Sequence, residues 1–410
     1  MTLEELKFEV CKYQYIEDTN IIDAALATIV ATRLSLGDPI WLILIGASSG
    51  GKSQILRPLA LTDAKFMHRI DDLTENTFLS GMKSSGESMS LLTRIGNKGM
   101  IVVSDLTVLF SKSPEVRATI LSQFRMIYDG EMIKFSGNMD KPIVWHGHLG
   151  VLAGSTPSIY SHFEEVADMG ERFIYYRMKS FDSKKATKLA LERKKSGREL
   201  DTILSNLYME YLKDVVANAK TNWEVSDMVK SRITSVSFLA ERIRTTAHID
   251  KFEKVIDRIP VSAMPMRVAI QLMGMARALY AMRNRELDDK DLEILDWCAY
   301  SLANEEKRAC LKTLCGLPWE VMASTQYVAD IIGLNTTVVR NILQNLSAVG
   351  VVMRSGSGDG LQWMIRDKED WEIVRRIEGI TGFSIKTNRE VSSEEKDESD
   401  ALADEIWNKQ

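Results

Sequence analysis

The apolar positions of the chain change rhythm several times, and those changes predict its elements. Ile21 to Leu34 repeats apolar residues at helical spacing and stops at Leu36-Gly37-Asp38-Pro39. Ile40 to Ile45 is then apolar at every position, over the length of a strand. A strand apolar on both faces is expected inside a parallel sheet covered by helices. Further strands are predicted at Phe66 to Ile70, Met100 to Val103, Leu149 to Ala153 and Phe173 to Arg177, with a helix over Glu115 to Tyr128. Glu131 to Phe135 and Ile143 to Trp145 predict a hairpin around Ser136-Gly137-Asn138. Strands alternating with helices predict an open α/β sheet.

After Ser180 the pattern turns helical. Ser183 to Ala247 is polar and charged, whereas Val261 to Ala303 is more apolar, with Asp288-Asp289 as a helix cap. Thr325 to Ile365 has another rhythm. A helix around Tyr327 to Ile332 ends at Gly333-Leu334, and a second runs from Thr336 or Thr337 to about Ser347. Two strand-like pieces follow, Val351 to Arg354 and Leu361 to Ile365, which predicts a winged helix. From Glu390 onward the chain is acidic and poor in packing residues, the composition of a disordered tail.

The segment after the first predicted strand carries the clearest chemistry. Gly46-Ala47-Ser48-Ser49-Gly50-Gly51-Lys52-Ser53 has the glycine spacing, lysine and hydroxyl of a phosphate-binding P-loop, between a strand and a helix. Its glycines let backbone N–H groups wrap phosphates, and the helix N-terminus adds positive dipole. Lys52 is expected to reach the β- and γ-phosphates, and Ser53 to ligate Mg2+, with Gln54 next in the nucleotide-binding stretch. Asp105, at the end of the third strand, is the expected second anchor for the metal. It is followed by Leu106, so the neighbouring glutamate that would orient attacking water is missing. Asp72, Asp71 and Glu131 are the carboxylates that could replace it.

Three more residues are candidates for the triphosphate's far end. Thr156, after Ser155 at the end of the fourth strand, is placed to sense the γ-phosphate or position water. Arg172, just before the fifth strand, is placed to lie on the subunit surface and reach a neighbour's site, with Arg177 as the alternative. Arg267 opens an apolar helix after Ala263-Met264-Pro265, where a helical lid would bring it to the phosphates.

Composition narrows the setting. The 410 residues are 45% hydrophobic and 27% charged, with a net charge of -5, which argues against a protein that coats DNA. Cys11, Cys298, Cys310 and Cys315 form no ligand pattern, as in a reducing compartment. The first residues do not read as a signal peptide, and the longest apolar run is too short for a bilayer. A cytoplasmic location without membrane partners is therefore expected.

In this order of parts the chain resembles the AAA+ ATPases, most closely the motor core of the MCM-like helicases of archaea and bacterial mobile elements or phages. Arg172-Phe173 is similar to the family's arginine-finger motif, Thr156-Pro157 to its first sensor, and Arg267 with Gln271-Leu272 to its second. The hairpin Glu131 to Trp145 stands where that family projects a DNA-touching hairpin into a ring channel, with Lys134 and Lys141 as contacts. The resemblance covers roughly residues 20–365 and departs from the family in two places: the missing glutamate after Asp105, and the near absence of sequence before residue 20 where an N-terminal collar would stand. It implies an α/β P-loop core over 1–180, a helical region with a lid over 181–315, a winged helix over 316–370 and an acidic tail over 371–410.

The expected activity is an ATP-dependent DNA motor, a helicase working as a homo-oligomeric, hexameric ring in replication of a phage or mobile element. DNA contacts are expected from Arg340, Asn341 and Arg354, with Asn335, Thr337 and Gln344 alongside. Lys184, Lys185, Lys188, Arg193, Lys194, Lys195 and Arg198 form a second positive stretch, or simply a solvated helix face. Two alternatives use the same engine. One is an initiator or loader using ATP as an assembly switch. The other is a remodelling or anti-phage defence ATPase whose winged helix binds a partner protein. An enhancer-dependent activator lacks its Gly-Ala-Phe-Thr-Gly-Ala loop here, and nothing beyond the P-loop suggests a small-molecule kinase.

Overall fold

A computed structural model describes residues 1–48, 50–80, 83–84, 87–88, 90–135, 142–162, 172–192, 195–247 and 264–383. Ser49, Lys141, Arg193, Lys194, the hairpin tip at 136–138 and the acidic tail lie outside the described residues. The chain divides into two compact units: Met1–Ser237 with Pro265–Ser301, and Phe238–Met264 with Leu302–Gln410.

The first unit is built on a five-stranded sheet. In chain order the strands are β1 (Trp41–Ile45), β2 (Met67–Ile70), β3 (Lys83–Ser84), β4 (Glu87–Ser88), β5 (Lys98–Val103), β6 (Glu131–Lys134), β7 (Ile143–His146), β8 (His148–Ser155) and β9 (Ile174–Arg177). The central sheet runs β2-β5-β8-β1-β9 with every pair parallel. β6 and β7 form a separate antiparallel hairpin, and so do β3 and β4. This is a mixed α/β architecture with a parallel central sheet flanked by helices. Two core strands extend beyond their apolar runs: β5 begins at Lys98 and β8 at His148, where backbone pairing continues past the last buried side chain.

β1 sets the centre. All five of its residues are buried, as the unbroken apolar run requires. Trp41 anchors it within an aromatic cluster, with ring centroids 5.5 Å from Phe124, 5.2 Å from Tyr128 and 5.0 Å from Phe173. Its indole N–H donates to the Leu149 carbonyl at 2.8 Å. Its backbone N–H donates to Gln271 Oε1 at 2.9 Å, from the helix Met266–Arg283. Gln271 is itself fully buried, so a helix side chain satisfies a sheet donor that water cannot reach.

A buried charge network ties the surrounding helices. Asp23, in the helix Asn20–Leu34, takes Lys7 at 2.7 Å and Arg283 at 2.8 Å. Arg283 also meets Asp291 at 2.9 Å, which links the helices Leu3–Cys11, Met266–Arg283 and Asp289–Tyr300 to Asn20–Leu34.

The second unit is small and has a sheet of its own. β10 (Ala323–Ser324), β11 (Val352–Ser355) and β12 (Gln362–Ile365) form the antiparallel order β10-β12-β11. The helices Glu305–Cys315, Thr325–Ile332, Thr336–Ala348 and Lys368–Glu378 accompany it. Trp363 is fully buried there and donates its indole N–H to Thr325 Oγ1 at 2.8 Å. Asn335 caps the helix Thr336–Ala348 by accepting from the Thr337 N–H at 2.8 Å.

Gln271→Leu should destabilise the first unit by about 1–3 kcal/mol, because it leaves the buried Trp41 N–H without an acceptor. Denaturant unfolding of both proteins measures this, and a change within ~0.5 kcal/mol would show that the bond contributes nothing.

Candidate functional site

Because all five core strands are parallel, their C-terminal ends lie along one edge of the sheet, the edge where open α/β sheets bind ligands. Five chain segments leave that edge: 46–51 after β1, 71–73 after β2, 104–107 after β5, 156–158 after β8 and 178–182 after β9. The strand order puts β8 between β1 and β5, so Thr156 emerges between the glycine-rich loop and Asp105. Backbone bonds hold these tips together. Gly46 N–H donates to the Ser155 carbonyl at 3.1 Å, and Leu106 N–H donates to the Gly154 carbonyl at 2.7 Å. A Cβ on Gly154 would stand 2.7 Å from the Ser104 carbonyl oxygen, so only glycine permits this approach.

The glycine-rich loop is shaped by its residue types. Gly51 has φ +92, a left-handed conformation that L side chains avoid, and it is the N-cap of the helix Lys52–Ala60. Gly50 N–H donates to the Ala47 carbonyl at 3.0 Å, closing a tight turn in which a Cβ on Gly50 would meet that oxygen at 2.9 Å. Gly51 has no side chain to cap the helix, so among the described residues its first N–H groups face the loop without an acceptor from the cap. An anion placed there would meet backbone donors and the positive end of the helix dipole.

Lys52 opens this helix and is only 7% exposed. Its ammonium donates to the carbonyls of Gly46 at 2.6 Å and Ala47 at 2.8 Å. Burial pushes its pKa below the ordinary lysine value, and the charge of Asp105 acts in the opposite sense. Asp105 is therefore close enough to Lys52 for their charges to interact, although one opens the helix after β1 and the other follows β5. Asp105 is exposed and accepts from the Thr107 N–H at 2.9 Å. Ser53 follows Lys52 half-buried, and Gln54 is exposed.

Thr107 carries no motif in the sequence. Its hydroxyl lies 3.3 Å from Ser155 Oγ and 3.4 Å from Thr156 Oγ1, and it accepts from the Thr156 N–H at 3.2 Å. It thus joins the tips of β5 and β8 beside Asp105.

The carboxylates separate. Asp71 accepts from Ser104 Oγ at 2.8 Å and from Arg69 Nε at 3.0 Å. Against the effect of partial burial, these two hydrogen bonds hold its pKa below the usual carboxylate range. Asp72 instead pairs with Lys112 at 2.8 Å, and that bond lowers its pKa. Asp71 is thus the carboxylate tied to the residue preceding Asp105. Glu131 stands on the β6–β7 hairpin, 3.7 Å from His146.

Two arginines stand elsewhere than expected. Arg172 is not on the surface of the chain: it is 3% exposed and bonds both carboxylate oxygens of Asp129, at 2.8 and 2.7 Å. Burial lowers its pKa, Asp129 opposes that, and the charges of Arg267 and Arg125 lower it further. Arg267 and Arg125 are exposed, and both Arg267 and Arg172 act electrostatically on Tyr128. Arg267 therefore groups with Arg172, Arg125 and Tyr128. The reason is local: the helix Met266–Arg283 is fixed at Gln271 to the N-terminal end of β1, the end opposite the loop. Arg177, at the end of β9, lies over the Tyr160 ring at 6.0 Å.

The expected DNA contacts also resolve individually. Lys134 is tied down, donating to Asn76 Oδ1 and to the Leu79 carbonyl, both at 2.8 Å. Among the described residues, Ile133, Phe135 and Val144 are exposed large hydrophobic side chains of that hairpin. In the second unit Arg340 and Asn341 are half-buried and Arg354 is exposed on β11. Ile331, Leu334, Val338 and Met353 are exposed in the same unit. The helix Ser183–Glu192 buries none of its residues, and Lys184, Lys185 and Lys188 are exposed on it. Among the described residues no group of three or more His, Cys, Asp or Glu side chains can hold a metal ion, and no helix is long and apolar enough to cross a membrane.

Asp105→Asn should move the titration of the Lys52 ammonium further down, since it removes the charge that opposes the effect of burial. NMR of 13Cε-labelled lysine reads this directly, and an unchanged Lys52 titration would separate the two residues.

No family model and no curated protein matches this chain.

Proposed function

We propose that the loop 46–53 binds a nucleoside triphosphate with Mg2+, and that the protein is an AAA+-type ATPase driving a DNA motor as a ring of identical copies. One observation carries the reading. A buried lysine opens an uncapped helix inside a glycine-shaped loop, with an aspartate and a threonine delivered beside it from the two neighbouring strand tips. Those groups fit a triphosphate. The loop amides and helix dipole would take the phosphate oxygens, and Lys52 would exchange its two carbonyl partners for the β- and γ-phosphates. Ser53 and Asp105 are two oxygen ligands suited to Mg2+, which takes the rest of its shell from phosphate and water. When bound, the metal supplies charge neutralisation across the β- and γ-phosphates.

The remaining steps fall to this chain's own groups. Thr156, held by Thr107, is placed to hydrogen-bond the γ-phosphate or its attacking water. Asp71, positioned by Ser104, is better placed to orient water than Asp72, which is paired with Lys112. Arg267 and Arg125 flank Arg172 and Asp129 on one patch, and their side chains suit the triphosphate of an adjacent copy. That grouping supports a ring in which each site takes its arginine from a neighbour.

The small second unit is read as a winged helix. Its exposed Ile331, Leu334, Val338 and Met353 favour a protein partner over base reading, and of the expected DNA contacts there Arg340, Asn341 and Gln344 are half-buried while Asn335, Thr337 and Arg354 are exposed. This supports the alternative of a loader or a remodelling and defence ATPase. The buried Leu106, where a carboxylate would activate water, supports the use of ATP as a switch in the same way.

Steady-state ATP turnover tests the reading. Lys52→Ala should lower it about 10²-fold or more, and single- or double-stranded DNA should stimulate the wild type. Arg267→Ala should be about 10³-fold or more impaired. Mixing Lys52→Ala with Arg267→Ala protein should restore part of the activity, since mixed rings contain sites with both residues intact. No recovery would place Arg267 outside the shared site, and turnover unaffected by Lys52→Ala would remove the loop from the chemistry.

A further inference from the structure

The chain that follows β9 leaves the sheet edge at 178–182 and forms the helix Ser183–Glu192, which buries none of its residues. Both feet of this arm stand on the segment 13–17. At the start the Phe181 ring lies 6.4 Å from the Tyr15 ring, and the Asp182 N–H donates to Glu17 Oε1 at 3.4 Å. At the return the Lys195 ammonium lies 5.4 Å from the centre of the Tyr13 ring. Ser196 and Glu199 then close a capping box that starts the helix Gly197–Asn218. The arm is thus held at its base, with only Ala186 and Leu189 half-buried along its helix. Its ten residues fall short of the ~12–15 at which isolated helices begin to hold in water, so such a helix gains from a partner along its length.

The charge of the arm differs in sign from that of the chain. Residues 183–195 hold six basic side chains and one acid, on a chain of net charge -5. Lys184 and Lys185 stand in the first turn, where the helix dipole disfavours positive charge, so their placement does not serve the helix itself. Lys184, Lys185 and Lys188 are all exposed and fall within a sector of about 100° at about 3.6 residues per turn. Their ion pairs are loose, Lys185 to Asp182 at 3.6 Å and Lys188 to Glu192 at 3.9 Å, and exposed pairs of this kind contribute little. Ser183, Lys184, Thr187, Lys188, Leu191 and Glu192 line a cavity of about 550 Å³ along the helix. We propose that this arm docks the sugar-phosphate backbone of a nucleic acid, with the three lysines on phosphate oxygens and the Ser183 hydroxyl beside them. A phosphate backbone is held by charge and hydroxyl groups alone, which is what the arm presents. A membrane surface needs an apolar stripe, whereas Leu189 and Leu191, two residues apart, stand on nearly opposite faces of the helix. A protein interface is anchored by aromatic side chains, and residues 183–198 contain none. The contact reads no base sequence and needs no bound nucleotide. It shares its DNA partner with the function proposed above, but neither the loop 46–53 nor the β6–β7 hairpin takes part in it.

Fluorescence-anisotropy titration of labelled single- and double-stranded DNA with the full chain, without nucleotide and over a range of KCl, tests this. Lys184→Gln, Lys185→Gln and Lys188→Gln together should weaken binding about tenfold or more at ~0.1 M salt. They should also flatten the plot of log affinity against log salt by about two to three, since each neutralised phosphate contributes ~0.9 to that slope on duplex and ~0.7 on single strands. Glutamine has nearly the helix propensity of lysine, so the helix is kept. Arginine at the three positions should preserve both affinity and slope. Glutamine at the exposed Lys213, Lys230 and Lys290, which removes the same charge away from the arm, should leave the slope unchanged. An arm variant that behaves like this control overturns the proposal and leaves the DNA motor reading standing. A wild type that binds no DNA, or that binds phosphatidylserine vesicles in its place, overturns the proposal together with that reading. Failure of the loop reading shows separately, as turnover unaffected by Lys52→Ala, because this titration contains no nucleotide.

Discussion

The complete burial of β1 is the constraint on which the rest depends. A strand with no exposed face needs sheet neighbours on both edges and helices over it, and β8 and β9 supply the edges. Its start is closed by Gln271 and Trp41, so the chain's first polar groups after β1 emerge at one place, the C-terminal edge of the sheet. Gly46 leaves there already bonded to Ser155, which fixes the loop against the tip of β8. The position of Lys52 then follows from strand packing rather than from any contact the lysine makes itself.

The same logic explains why the candidate site is made of short polar side chains on different strands. Thr107 bonds Asp105 through its N–H and lies within reach of Ser155 and Thr156 through its hydroxyl, an arrangement that Gly154 permits by letting the β5 and β8 tips approach. Burial weakens the hold of Lys52 on its proton while Asp105 restores part of it, so the pair is balanced between two partners. In the reading proposed above, this cation would exchange its loop carbonyls for phosphate oxygens.

Much of this was legible in the sequence because it depends on local pattern. The unbroken apolar run 40–45, the glycine spacing after it and Asp105 at a strand end each carry their signal within a few residues. The five core strands and the helices Met266–Arg283 and Asp289–Tyr300 were readable for the same reason. What was not legible depends on pairing across the chain. Arg172 was expected at the surface, but its burial comes from Asp129, 43 residues away in sequence. The grouping of Arg267 with Arg172 comes from where Gln271 pins a helix, and the engagement of Lys134 from the 75–79 loop. Asp71 and Asp72 are adjacent in sequence, and only the positions of Ser104 and Lys112 tell them apart. Thr107 carries no motif at all.

The central claim is that the loop 46–53 receives the triphosphate. Backbone amide NMR of the protein titrated with Mg2+ and ATP tests it most directly. The account predicts that the largest shift changes fall on Gly50 to Gln54, with Asp105 and Thr156 following from their own strands. Shift changes confined to other parts of the chain, with these amides unmoved, would contradict it.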